Sequence, residues 1–271
     1  MKRIFGILMI ICLFCTIQPT LAAKTKRSKA IKPAVNAHAA VLMDLATGKV
    51  LFKKNSQDIM APASTTKIMT AVLVLEQLNL AKNIAVGDVS LEGTSMDLVK
   101  GERKTVRELL YGLMLVSGND AASVLAKTVS GTEPAFGRLM TKKAKLLGMN
   151  NTIFKNASGL PEIGHYSTAY DMALLTRYAL KKPNFSKIVR TKYKEISGPK
   201  PGKTRNLKNH NKLLWKYPYA TGVKTGYTVS AGGCLVASAM YKGRTLIAVV
   251  LKTSTIYDDC IKMFKYGFNR Y

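Results

Sequence analysis

Ser64-Thr65-Thr66-Lys67 sets a hydroxyl and an amine three residues apart. On a helix that spacing puts both side chains on one face, where the amine can reach the hydroxyl. A serine is a weak nucleophile until a base takes its proton, and a lysine serves as that base only if it is neutral at working pH. Burial, the positive end of a helix and a second cation nearby all push an amine in that direction. Taken alone, the pair reads as a helix-capping serine and a solvated lysine. Ser197-Gly198-Pro199-Lys200 repeats the spacing, but its Gly-Pro forbids a regular helix and assigns it to a loop. Two further polar triplets, Ser117-Gly118-Asn119 and Lys224-Thr225-Gly226, add hydroxyls, an amide and a second amine to the inventory.

These residues fall where the chain can position them. Pro62 precedes a helical pattern from about Ser64 to Leu78, as proline does at helix starts. Val106 to Val116 and Ala121 to Val129 are helical by period, and Ser117-Gly118-Asn119-Asp120 is the polar junction between them. Helices are also predicted over Glu133 to Leu147, Ala169 to Leu180 and Asp258 to Phe268. Ala39 to Met43 and Val50 to Phe52 flank a Thr47-Gly48 turn and read as a hairpin. Strand signals return at Gly222 to Thr225, Cys234 to Met240 and Thr245 to Leu251, the last two joined across Lys242-Gly243. Strands at both ends of a helical middle imply an α/β (α+β) architecture, one antiparallel sheet assembled from distant segments with helices packed on it.

Serine-x-x-lysine, serine-x-asparagine and lysine-threonine-glycine, in that order, form the active-site set of class A β-lactamases and penicillin-binding proteins, with Gly118 standing where aspartate is usual. The chain further resembles the low-molecular-mass penicillin-binding proteins that act as D-alanyl-D-alanine carboxypeptidases. That likeness rests on Pro62 to Ala71, Ser117 to Ala122, Gly159-Leu160-Pro161 with His165 to Ala169, and Asn209-His210-Asn211 through Leu214. It extends from about Ala39 to Tyr271. The resemblance implies a β-lactamase/transpeptidase-like fold with the site in a cleft between a helical and an α/β subdomain. It implies Ser64 as nucleophile, Lys67 as its base, and Ser117, Asn119 and Lys224 as the groups that move protons and hold the peptide. Thr225, beside Gly226, is expected at the substrate's terminal carboxylate, and the backbone N–H groups of Ser64 and Tyr227 at the oxyanion. Some relatives carry arginine at the position of His210, so His210 is either a carboxylate-binding residue or a loop histidine outside the site. The implied ligands are peptidoglycan stem peptides, with β-lactam antibiotics as inhibitors.

The rest of the chain bounds these expectations. Met1-Lys2-Arg3 and the apolar run Ile4 to Cys15, ending in Thr20-Leu21-Ala22-Ala23, read as a secretory signal peptide over residues 1–23. The run is short of the roughly 20 residues that span a bilayer. Neither Cys12 nor Cys15 follows a small residue, which argues against lipoprotein processing. Residues 24–38 read as a basic flexible arm and 39–271 as the catalytic domain, with no β-rich second domain or membrane-anchoring helix expected after it. Export to the periplasm or outer face of the cell removes nucleic acid as a partner for a chain of formal charge +27, and leaves anionic envelope polymers or plain solubility as its meaning. Cys234 and Cys260, the cysteines beyond the leader, are read either as a disulfide or as two buried thiols. No His-Glu-x-x-His and no Gly-x-Ser-x-Gly occurs, so neither a metal hydrolase nor an α/β-hydrolase is expected, and no metal or cofactor. A β-lactamase, a D,D-endopeptidase cutting cross-bridges and a catalytically idle wall-binding module are the alternatives.

Overall fold

The computed structural model describes residues 31–89 and 92–270. The leader read over 1–23 and the arm as far as residue 30 lie outside the described residues. Five antiparallel strands form the main sheet in the order β2-β1-β9-β8-β7: β1 Ala39–Asp44, β2 Val50–Lys54, β7 Ala220–Thr228, β8 Gly232–Tyr241 and β9 Arg244–Leu251. The N-terminal hairpin pairs with β9 in the centre, with Val41 opposite Val249, so the two ends of the chain meet in one sheet. Central strands here are almost uninterrupted apolar runs because both faces are covered. Alternate residues serve opposite cores. Val41, Met43, Val249 and Leu251 face the helices, whereas Leu42, Leu246, Ala248 and Val250 face the C-terminal helix α8, Ile256–Asn269.

That alternation decides the cysteine question. Cys234 on β8 points into the helical core, and Cys260 on α8 packs in the core on the other side of the sheet. Both are buried free thiols, and burial raises the pKa of each, that of Cys234 to about 11. The arm differs from its sequence reading at its inner end. Val35 and Ala37 are buried, and Asn36 and Ala37 donate backbone N–H bonds of 3.0 and 2.9 Å to the carboxylate of Asp259.

The helical part is built round α1, Lys67–Gln77, whose first eight residues are all buried. A 3-10 turn, Ala63–Thr66, precedes it, so Ser64 sits one turn ahead of the α-helix proper. Helix α2, Val106–Leu115, opens on a capping box in which Thr105 and Glu108 satisfy each other's backbone donors. Helices α3, Asn119–Ser130, α4, Glu133–Leu146, and α5, Ala169–Ala179, complete the layer, α5 lying on β1 and β9. Two small hairpins, β3 Asn83–Ala85 with β4 Arg103–Thr105 and β5 Tyr193–Ser197 with β6 Thr204–Lys208, were not foreseen. Nor were the short helices α6, Pro183–Val189, and α7, Leu213–Lys216. The β5–β6 hairpin is polar on its outer positions and is held by tertiary contacts of Ser197. Its hydroxyl donates to Glu108 Oε1 at 2.6 Å and receives a bond from the buried amine of Lys104 at 3.0 Å. Ser197 is thereby occupied in structure, far in role from Ser64. Among the described residues, no helix is long and apolar enough to cross a membrane.

Candidate active site

Three segments distant in sequence converge on one cleft of about 540 Å³, lined by Ser64, Ser117, Asn119, Thr225, Gly226 and Tyr227, with His210 at one end. The 3-10 turn supplies Ser64. The α2–α3 junction supplies Ser117 and Asn119, and the edge strand β7 supplies Lys224 to Tyr227. Strand β7 packs directly on the turn, and no side chain fits between them. A Cβ on Gly226 would lie 2.9 Å from the backbone nitrogen of Ser64 and 3.1 Å from that of Thr65. The turn is fixed from its other side as well. Gly159, at φ +84°, passes so close that any side chain there would collide with the Ala63 carbonyl. The Thr66 hydroxyl pairs with His165 Nε2 at 3.0 Å, and burial holds that imidazole at a pKa of about 4. Ala63 itself adopts φ +48°, a conformation that alanine rarely holds without such support.

Lys67 is fully buried, and its Nζ lies 3.0 Å from Ser64 Oγ, 2.6 Å from Asn119 Oδ1 and 2.7 Å from the Ser158 carbonyl. Burial first, and the charge of Lys224 second, push its pKa well below the ordinary lysine value. A neutral amine has two N–H bonds and one lone pair. The two carbonyl-type acceptors take the N–H bonds, which leaves the lone pair for the serine hydroxyl. Lys224 is buried too, its pKa brought down to about 7 by desolvation, with Nζ 2.9 Å from the Thr225 carbonyl. Burial thus lowers the pKa of both amines, and the charge of Lys224 lowers that of Lys67 further.

Residues that the sequence left without a role hold this arrangement in place. Asp120 is buried and accepts from the backbone N–H groups of Met96 and Leu98 at 3.0–3.1 Å and from the Ser95 hydroxyl at 2.6 Å, tying the loop before β4 to the start of α3. The Asn119 amide donates to the Glu92 carbonyl at 2.7 Å, so its oxygen is turned toward Lys67. Thr94 donates to the carbonyl of Ser117 at 2.7 Å, and Ser117 stands at φ +64° with its side chain in the cleft. Adjacency of Asp120 to Asn119 was the available signal, but only the fold shows which donors it serves. His210 lines the same cleft, and its pKa is lowered by burial and by the charge of Lys224.

Comparison with known proteins identifies the family and the fold. A family model described as D-alanyl-D-alanine carboxypeptidase matches residues 25–255. The D-alanyl-D-alanine carboxypeptidase DacF of Bacillus subtilis is 41% identical over 282 residues, covering 100% of this chain and 72% of DacF. DacC of Escherichia coli is 39% identical, covering 87% of this chain and 62% of its own length. The crystal structure of the Streptomyces K15 DD-transpeptidase superposes with a TM-score of 0.83 at 36% identity, covering 88% of this chain and 99% of that one. A D-alanyl-D-alanine carboxypeptidase from Mycobacterium tuberculosis superposes at 0.84 with 31% identity, covering 89% and 95%. The fold is the transpeptidase-like arrangement of helices and antiparallel sheet expected from the motifs, and the chain belongs to the D-alanyl-D-alanine carboxypeptidase family of serine peptidases.

Proposed function

We propose that this chain removes the terminal D-alanine from peptidoglycan pentapeptide stems through an acyl-enzyme on Ser64. The observation that carries the proposal is the buried amine of Lys67, 3.0 Å from the Ser64 hydroxyl, with its N–H bonds committed elsewhere. Ser64 Oγ attacks the carbonyl between the two D-alanines as Lys67 takes its proton. The developing oxyanion lies between the backbone N–H groups of Ser64 and Tyr227, on the two segments that Gly226 allows to touch. Ser117, which lines the same cleft, returns a proton to the leaving D-alanine from its hydroxyl. The Asn119 amide holds the acyl half, and Thr225 with cationic Lys224 and His210 holds the carboxylate of the departing residue. Water activated by Lys67 or Ser117 then hydrolyses the ester. β-Lactams enter the same site as mimics of the D-alanyl-D-alanine end.

The supporting experiment is mass analysis of a stem pentapeptide incubated with the protein. One D-alanine is released per stem to leave the tetrapeptide, and Ser64→Ala releases none. Unchanged release by Ser64→Ala removes that serine from the mechanism. The same reading places the molecule outside the cell membrane, delivered by its leader and held on anionic envelope polymers by its charge.

A further inference from the structure

A smaller hollow, of about 320 Å³, adjoins the cleft and shares Gly159, Leu160 and Thr228 with it. Its walls are largely apolar, with Ala61 and Pro62 ahead of the Ser64 turn and Leu160, Pro161 and the exposed Ile163 on the loop after Ser158. His165 lies in the same wall, kept neutral by burial. Glu162 lines it too, and among the described residues it is the one carboxylate lining either hollow. In a chain with 42 lysines and arginines against 15 acids, this mouth of the cleft runs against the prevailing charge. The Glu162 side chain is exposed, and Asn156 steadies it. Asn156 Nδ2 donates to Glu162 Oε2 at 2.9 Å and to the Leu160 carbonyl at 3.1 Å, while Asn156 Oδ1 accepts from the Gly159 backbone N–H at 2.8 Å. Among the described residues Glu162 has no cation within ion-pair distance. A carboxylate at the end of an apolar trough suits an aliphatic side chain that ends in an ammonium.

Strand β7 fixes which half of a substrate reaches this hollow. On the catalytic reading above, on which this inference rests, the carboxylate of the departing residue lies at Thr225 and the oxyanion at the Tyr227 N–H. Those two points set the direction of the peptide along β7. The acyl half continues the same way, past Thr228 toward Ser230 in the turn that follows, and both of these residues line the smaller hollow. In a stem pentapeptide the residue just before the acyl D-alanine is a diamino acid, whose side chain is a run of methylenes with a free amine until it is cross-linked. We propose that the hollow receives this side chain, with Leu160, Pro161 and Ile163 against its methylenes and the Glu162 carboxylate on its ammonium. Glu162 is then a specificity residue for the acyl half. It takes no part in bond making, and it favours stems whose amine is still free over stems whose amine is blocked or missing.

The test uses synthetic stem pentapeptides that differ at this one residue, which is lysine, diaminopimelate or norleucine, the last keeping the methylenes and lacking the amine. For an exposed pair at low ionic strength, wild-type kcat/KM is expected to be about fivefold higher with a free amine than with norleucine. A gain confined to lysine or to diaminopimelate names that side chain as the ligand. Glu162→Gln is expected to bring the amine-bearing peptides within about twofold of norleucine, with norleucine cleavage and penicillin acylation as in wild type. Penicillin acylation reports that the variant is folded. If it is lost, the salt dependence of the wild type carries the test, since a preference made by an exposed carboxylate shrinks as salt rises. Equal rates on amine-bearing and norleucine peptides, a preference that survives Glu162→Gln in a folded variant, or one that ignores salt each overturns the assignment and leaves the carboxypeptidase reading standing. A wild type that cleaves none of the peptides overturns both.

Discussion

In the proposed mechanism the amine of Lys67 is the group whose state decides whether Ser64 can react. A lysine in water is charged at neutral pH and useless as a base. Here burial and the neighbouring Lys224 lower its pKa, and the carbonyls of Asn119 and Ser158 orient its N–H bonds. Spacing made the pair legible in sequence, but the groups that set the state of the amine come from three other segments. Lys224 gives this a measurable pH signature. In the folded protein its pKa is about 7 against 10.5 for an ordinary lysine, so rising pH removes the cation that the proposed mechanism sets against the substrate carboxylate. For free enzyme, kcat/KM on a carboxylate-ended peptide is expected to rise as Lys67 deprotonates and to fall again above about pH 7. A peptide ending in an amide has no charge to recognise and is expected to lack the alkaline limb. An identical limb with both peptides would detach Lys224 from carboxylate recognition. The same shift sets a sign on stability: from about 7 to 10.5 the unfolded chain holds more protons than the folded one, so this lysine's contribution to stability improves as pH rises through that window and its burial penalty is felt in full below it.

Among the elements, the long periodic ones were legible and the short ones were not. Helices α2, α4 and α5 and strands β8 and β9 appear within a residue or two of their predicted bounds, because apolar period and turn residues act locally. Hairpins β3–β4 and β5–β6 carry exposed, charged positions on strands of three and five residues, and side chains far away in sequence hold them. For β5–β6 these are Glu108 and Lys104, and Arg205 in turn ties β6 to Glu102 at 2.8 Å. No local pattern announces such contacts. The 3-10 turn at Ser64 is a similar case, since its shape is imposed by Gly159 on one side and Gly226 on the other. Sequence placed the serine at a helix start. Structure agrees, and adds that this start is a 3-10 turn running directly into α1, clamped between a strand and a glycine.

For the whole molecule, the sheet that joins the chain's two ends makes the catalytic cleft a product of global folding, and its two-sided burial separates Cys234 from Cys260. Charge is the other global property. With 42 lysines and arginines against 15 acids, the surface field is positive, and retention on isolated cell walls is expected to weaken steeply as salt rises, because exposed charges are screened over about 8 Å at physiological ionic strength. Sedimentation with walls across a salt series reads this directly; binding that ignores salt would leave the charge as a solubility device. The absence of any Glu-x-x-x-Asn in the chain bears on deacylation. In class A β-lactamases a glutamate, acting through a water, releases the acyl-enzyme. Here a peptide acyl group is open to water once D-alanine has left, whereas the opened penicillin ring stays tethered and blocks that path. Intact-mass measurement after excess penicillin, with peptide mapping, therefore tests the central claim most directly. The account predicts a single added drug mass on the peptide containing Ser64, persisting for minutes or longer and absent in Ser64→Ala; rapid turnover of penicillin with no adduct, or an adduct on another residue, would contradict it.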